Sequence, residues 1–140
     1  MEMQFYIPIK PEGKGRPRAS FRNGRVQVYT PINTIAHEMA IRSHIKNRLP
    51  SGFTPLECPL QVVITAGMPF PKGTAKKTIT EAINGKFMPH TKKPDFDNIG
   101  KAVADACNGV LYKDDSQIYD GRTIKQYAVE PYVQIRIITA

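Results

Sequence analysis

Five of the chain's twelve acidic residues fall between positions 95 and 115: Asp95, Asp97, Asp105, Asp114 and Asp115. The formal net charge is +8, so these carboxylates are gathered against a basic background. That pattern suits a divalent metal held beside a polyanion. In an extended segment entering a helix, residues i and i+2 project to the same side, so Asp95 and Asp97 can offer oxygens to one cation. Mg²⁺ takes a few carboxylates and completes its shell with waters and phosphate oxygens, and a third aspartate from this stretch fits that habit. A metal so held polarises a scissile phosphate and lowers the pKa of an attacking water. Lys101, one helical turn after Asp97, is placed to stabilise charge on the phosphorus or the departing oxygen. The blander alternatives are also open at this point. Two aspartates flanking one residue are common in turns and caps, and the series Asp97, Lys101, Asp105 at i,i+4 spacing can simply support a surface helix.

These side chains need elements to position them. Ile99, Ala102, Val103 and Ala106 fall at i, i+3, i+4 and i+7, which predicts a helix over 97–108 that Gly109 is placed to end. Alternation of Phe5, Ile7 and Ile9 with polar neighbours predicts a strand over 4–9. Asn23-Gly24 between two β-prone runs predicts a hairpin. Thr30 reads as an N-cap with Pro31 in the first turn of a helix over 31–48, whose apolar face is Ile35, Met39, Ile41, Ile45 and Leu49. The β-branched run 60–68 reads as a central strand, and strands are expected over 117–126 and 132–138. The segment 71–93 fits either a short helix around 75–83 or a mobile loop over the site. There is no internal repeat or low-complexity tract.

A chain of 140 residues, 41% hydrophobic and 23% charged, is expected to form one globular domain, which excludes wholesale disorder. No apolar run approaches the roughly 20 residues that cross a bilayer, and the start lacks a secretory pattern, so a cytoplasmic protein with no membrane partner is expected. Cys58 and Cys107 form no CxxC pair and have no histidine at ligand spacing, so they read as small buried residues rather than disulfide or zinc sites. The basic excess, with a pI near 9.6, points to an anionic partner, nucleic acid above all. Its candidate contacts are Lys14, Arg16 and Arg18 within a basic run that extends to Arg22 and Arg25, then Lys72, Lys76 and Lys77, then Lys92 and Lys93 immediately before the acidic cluster. Cations flanking carboxylates can position phosphates that the carboxylates alone would repel. His37, His44 and His90 lack partners at ligand spacing and read as structural or solvated. Tyr112 and Phe96 could stack on bases, but core packing is the commoner fate beside apolar segments.

The run Lys93-Pro94-Asp95-Phe96-Asp97-Asn98-Ile99-Gly100-Lys101, then Asp105-Ala106-Cys107-Asn108-Gly109, then Asp114-Asp115-Ser116-Gln117-Ile118, resembles the RusA family of Holliday junction resolvases. Lys14-Gly15-Arg16-Pro17-Arg18 followed by Tyr29-Thr30-Pro31 also looks like the start of phage and prophage members. The resemblance spans most of the chain, and its specific part lies between 93 and 118. It implies an α/β protein of the α+β kind, a small mixed β-sheet packed with helices in a single domain. It further implies a homodimeric, Mg²⁺-dependent endodeoxyribonuclease, with Mn²⁺ as a possible substitute, that cuts four-way DNA junctions by paired nicks in recombination and repair. By the same resemblance Asp95, Asp97 and Asp115 are the metal-holding catalytic aspartates and Lys101 the active-site lysine. Asp105 and Asp114 match the pattern, and Asp105 can instead pair with Lys101. The basic stretch 72–93 is longer than in the most compact members. The residues also permit a nuclease of wider taste, acting on forks, flaps or RNA, and the charge by itself permits a non-catalytic DNA-binding module of a mobile element.

Overall fold

A computed structural model describes all 140 residues. In chain order the elements are β1 (Glu2–Ile7), β2 (Arg18–Arg22), β3 (Arg25–Tyr29), α1 (Ile32–Lys46), β4 (Leu60–Pro69), α2 (Lys76–Ile83), α3 (Phe96–Ala106), β5 (Ile118–Ala128) and β6 (Tyr132–Thr139). The apolar run of β4 lies in the interior of the main sheet, whose order is β1-β6-β4-β5. β6 runs antiparallel to both β1 and β4, whereas β4 and β5 are parallel, so the sheet is mixed. The parallel pair requires a long crossover, and that crossover carries α2 and α3.

Alternation decides which face of the sheet is buried. Phe5 and Ile7 of β1, Val62, Ile64 and Ala66 of β4, and Val133, Ile135 and Ile137 of β6 join one core with Ile41 and Ile45 of α1 and Ile99 and Val103 of α3. Three helices and a mixed sheet thus make an α+β fold. No helix is long and apolar enough to cross a membrane.

Several boundaries differ from the sequence expectation, each for a local reason. β1 ends at Ile7 because Pro8 has no N–H for the ladder. Pro31, not Thr30, is the N-cap of α1, and no side chain caps that end. The inward stripe of α1 is Thr34, His37, Ile41 and Ile45, leaving Ile35 and Met39 exposed. Thr34 tolerates burial because its Oγ1 accepts a hydrogen bond from the Gly15 N–H at 2.9 Å. Segment 71–93 contains α2 rather than forming an open loop throughout. Cys107 is buried, with desolvation pushing its thiol up to about 12, while Cys58 is half-buried; both are free.

On the opposite sheet face Tyr6 stacks on Tyr132 with centroids 5.0 Å apart, whereas Phe70 and Tyr127, stacked at 5.2 Å, share the core side with Met68. Tyr132 lies directly across from Gly67. A Cβ on Gly67 would fall 2.3 Å from the Tyr132 ring, so the ring lies flat over this strand only because the glycine has no side chain. Gly67→Val should therefore cost about 1–3 kcal/mol in urea denaturation. Combining it with Tyr132→Ala should destabilise by less than the sum of the two single changes; strict additivity would show that the ring does not set the constraint.

Candidate active site at the start of the third helix

α3 is held at both ends and along its length. Ile99, Ala102, Val103 and Ala106 bury one face, and Gly100 lets the helix sit close on β5, where an added Cβ would lie 2.7 Å from Thr123 Oγ1. At its C-terminus Arg42 of α1 donates through Nη1 to the carbonyls of Ala106 (3.2 Å) and Asn108 (2.7 Å), satisfying acceptors that the helix leaves open. At its N-terminus the 10–16 loop closes in: Lys14 N–H donates to the Asn98 carbonyl at 3.0 Å, and Gly13 packs so near Pro94 that a Cβ would fall 2.9 Å away. Asp95 is the N-cap residue, yet its side chain makes no capping bond, which leaves the carboxylate available. Asp97 Oδ1 accepts from the Asn98 N–H at 3.0 Å. Both carboxylates are exposed at the helix's positive end.

A chain of ion pairs runs from this helix into its surroundings. Lys101 Nζ lies 3.0 Å from Asp105 Oδ1 and 3.1 Å from Asp115 Oδ2. The other oxygen of Asp105 is 3.0 Å from Lys14 Nζ, which also pairs with Glu38 of α1. Asp115 is delivered by a one-turn 3-10 helix, Asp115–Gln117, that begins in a capping box. Asp114 Oδ2 accepts from Ser116 N–H at 3.1 Å, and Gln117 Oε1 accepts from Asp114 N–H at 2.9 Å. The Gln117 amide then donates to the carbonyls of Leu56 (2.9 Å) and Cys58 (3.0 Å). Asp114 thus builds the turn and Asp115 faces Lys101. Tyr112, buried as expected, donates its hydroxyl to the Ala104 carbonyl at 2.7 Å.

An open groove adjoins the start of α3, lined by His90, Lys92, Lys93, Asp95, Phe96, Asp97 and Lys125. Phe96 is not a core residue: it is 63% exposed, because the first position of the helix points away from the sheet. Lys125 carries no local signal in the sequence. It reaches the groove because residues 88–90 run along the outer edge of β5, with His90 N–H bonded to the Lys125 carbonyl (3.0 Å) and Tyr127 N–H to the Met88 carbonyl (2.9 Å). The Lys125 ammonium donates to the Lys92 carbonyl. Burial, with Lys125 and Lys92 nearby, lowers the pKa of His90. Of the other basic candidates, Arg16 and Arg18 line a separate cleft with Asn33 and Thr34. Lys72, Lys76 and Lys77 are exposed on α2 and its lead-in and do not line the groove.

Residues 8–138 match the family described as Endodeoxyribonuclease RusA. The chain belongs to that family. It is also similar to the Uncharacterized protein YqaN of Bacillus subtilis (strain 168), with 34% identity over 137 residues that cover 96% of this chain and 94% of the relative.

In this RusA-family protein the anionic donors at the start of α3 are the carboxylates of Asp95 and Asp97, with His90 in the same groove; carboxylate oxygen suits a hard divalent cation that keeps several waters. No three acidic, histidine or cysteine side chains stand close enough together to enclose an ion. The fit is therefore to a cation held by one or two carboxylates, its shell completed from outside the protein.

The ion-pair chain has a definite pH window. Burial raises the pKa of Asp105, but hydrogen bonds from Lys101 and Lys14 outweigh it and leave the carboxyl below its ordinary 3.8. Lys101 is raised above 10.5 by hydrogen bonds to Asp105 and Asp115. Lys14 is also raised, its bonds to Glu38 and Asp105 overcoming burial. The stabilisation from Asp105 is present above its unfolded value and is lost as pH falls through the lower folded value. That from the two lysines is complete below 10.5 and is lost as pH rises through their raised values. Asp105→Asn should cost up to about 1 kcal/mol at neutral pH, given the partial exposure of its partners. In urea titrations the difference from wild type should vanish as acid protonates Asp105; a pH-independent difference would show that charge is not its source.

Proposed function

We propose that this RusA-family endodeoxyribonuclease resolves four-way DNA junctions by paired, symmetric nicks that require Mg²⁺, acting as a homodimer. The observation that carries the reading is the 3.1 Å contact between Lys101 Nζ and Asp115 Oδ2. It joins the Asp95–Asp97 helix to an aspartate fourteen residues beyond the lysine. Asp95 and Asp97 would hold the ion, its shell completed by waters and phosphate oxygens, while Asp115, expected from the sequence as a third ligand, pairs with Lys101; when bound, the ion would polarise the scissile phosphate and lower the pKa of an attacking water. Lys101, held protonated by its two carboxylate partners, places a fixed positive charge where the departing oxygen becomes anionic. Lys92, Lys93 and Lys125 line the groove beside Asp95 and Asp97. Their charge draws a phosphodiester backbone toward carboxylates that would otherwise repel it. A twofold dimer with one such site per subunit matches a twofold substrate and gives two like cuts.

The test is a denaturing gel of end-labelled mobile four-way junction with and without Mg²⁺, run beside fork, linear duplex and single strand. Symmetric nicks on the junction should require metal and disappear in Asp97→Asn while binding persists. Lys101→Ala should slow cutting about 100-fold or more. Junction binding with no cuts under any divalent metal would refute the nuclease reading, and equal cutting of fork and junction would replace it with a broader one.

A further inference from the structure

The β2–β3 hairpin stands as its own two-stranded sheet. Asn23 (φ 52°) and Gly24 (φ 73°) form the tip, both in the left-handed region that a tight two-residue hairpin turn demands. Its register sorts the side chains cleanly. Arg18 pairs with Tyr29, Ser20 with Gln27 and Arg22 with Arg25, so one side is polar and cationic; Ala19 pairs with Val28 and Phe21 with Val26, so the other is apolar. Every residue of both strands is exposed, including Phe21 at 77%, Val26 at 67% and Val28 at 70%.

The charges on the polar side are unbalanced. No aspartate or glutamate occurs between Glu12 and Glu38, a span that holds Lys14, Arg16, Arg18, Arg22 and Arg25. The ion pairs of the protein involve Lys14, Lys86, Lys101, Lys113 and Arg136, and none of the arginines of the hairpin. Arg22 and Arg25 sit directly across from each other, a like-charge pairing that weakens an isolated hairpin. An external anion would offset it, and an extended one would span the whole row, because Arg18 lies four residues, roughly 13 Å, along the strand from Arg22. A nucleic acid backbone has that reach and charge density. A two-stranded ribbon also has the width that a DNA major groove accepts. The root of the hairpin is tied to the active-site helix through Lys14 N–H to Asn98 O (3.0 Å) and to α1 through Gly15 N–H to Thr34 Oγ1 (2.9 Å). It is therefore an arm anchored beside the start of α3.

We propose that the Arg18, Arg22, Arg25 and Tyr29 side of this hairpin is a DNA-backbone binding site, separate from the groove that holds Asp95 and Asp97. The inference rests on the proposed function for its ligand class. Fluorescence anisotropy of a labelled four-way junction, titrated with metal-free protein across a series of KCl concentrations, tests it. Arg22→Gln/Arg25→Gln should weaken binding about tenfold or more and reduce the slope of log affinity against log salt by roughly 2, one phosphate contact per arginine. Arg22→Lys/Arg25→Lys should keep most of that slope. Lys46→Gln/Arg136→Gln, which removes one charge at the far end of α1 and one on β6, should leave it unchanged. The inference falls if the glutamine variant binds with wild-type slope, or if the distant pair lowers the slope equally. It also falls if the glutamine variant shifts the sedimentation coefficient of the free protein while the slope holds, which would assign the hairpin to a contact between copies. A wild type that never cuts junctions but loses slope in the glutamine variant would sink the resolvase reading and leave this site standing.

Discussion

Repulsion among closely spaced carboxylates is the constraint that shapes the middle of this molecule. Asp105 and Asp115 approach the same ammonium group, that of Lys101, and Asp105 reaches a second, that of Lys14. Without those cations the folded chain would hold like charges together at a helix surface that is only partly shielded by water. The lysines therefore let an acidic cluster exist in a compact fold, and they do so from two distant parts of the chain. Lys14 arrives from the first loop and Lys101 from the helix itself. The arrangement leaves Asp95 and Asp97 outside the chain of ion pairs, at the end of the helix where the backbone dipole already favours negative charge.

Position at this site is set by backbone contacts more than by side-chain packing around the acids. Arg42 grips one end of α3 and the 10–16 loop grips the other. Close approaches at Gly13 and Gly100 fix how deeply the helix sits. Asp115 owes its direction to a capping box in which Asp114 and Gln117 satisfy each other's turn, and Gln117 anchors that turn to the 56–58 segment. Neighbouring aspartates thus have separate tasks: one shapes backbone, the other presents charge.

Much of this was legible in the sequence where periodicity and burial agree. The alternation in β4 and β6 and the stripe from Ile99 to Ala106 mark elements whose apolar faces all enter one core. The candidate site was legible as a motif, and the structure joins Lys101 to Asp115 within it. What local pattern could not convey depends on long-range partners. Thr34 replaces a hydrophobic residue in the inward stripe of α1 because an N–H from Gly15 meets its hydroxyl. Phe96 looks like a core residue in composition and is exposed by its place at the helix start. Lys125 enters the groove only through strand-like pairing with residues 88–90, and the pairing of Lys14 with Asp105 spans most of the chain between β1 and α3.

The short run of residues 88–90 along β5 has one more effect. A sheet ordered β1-β6-β4-β5 has two outer edges, each a row of backbone donors and acceptors able to recruit another strand. On the β5 side those groups are partly consumed by Met88 and His90. A foreign strand seeking to extend the sheet there would first have to displace the segment that leads into Asp95. On the β1 side the Arg48 guanidinium donates to the Tyr6 carbonyl, and the strand is cut short by Pro8 after six residues. Resistance to edge-on aggregation and integrity of the acidic groove are therefore the same property on one flank of the protein: whatever peels that segment away to add a strand also dismantles the groove.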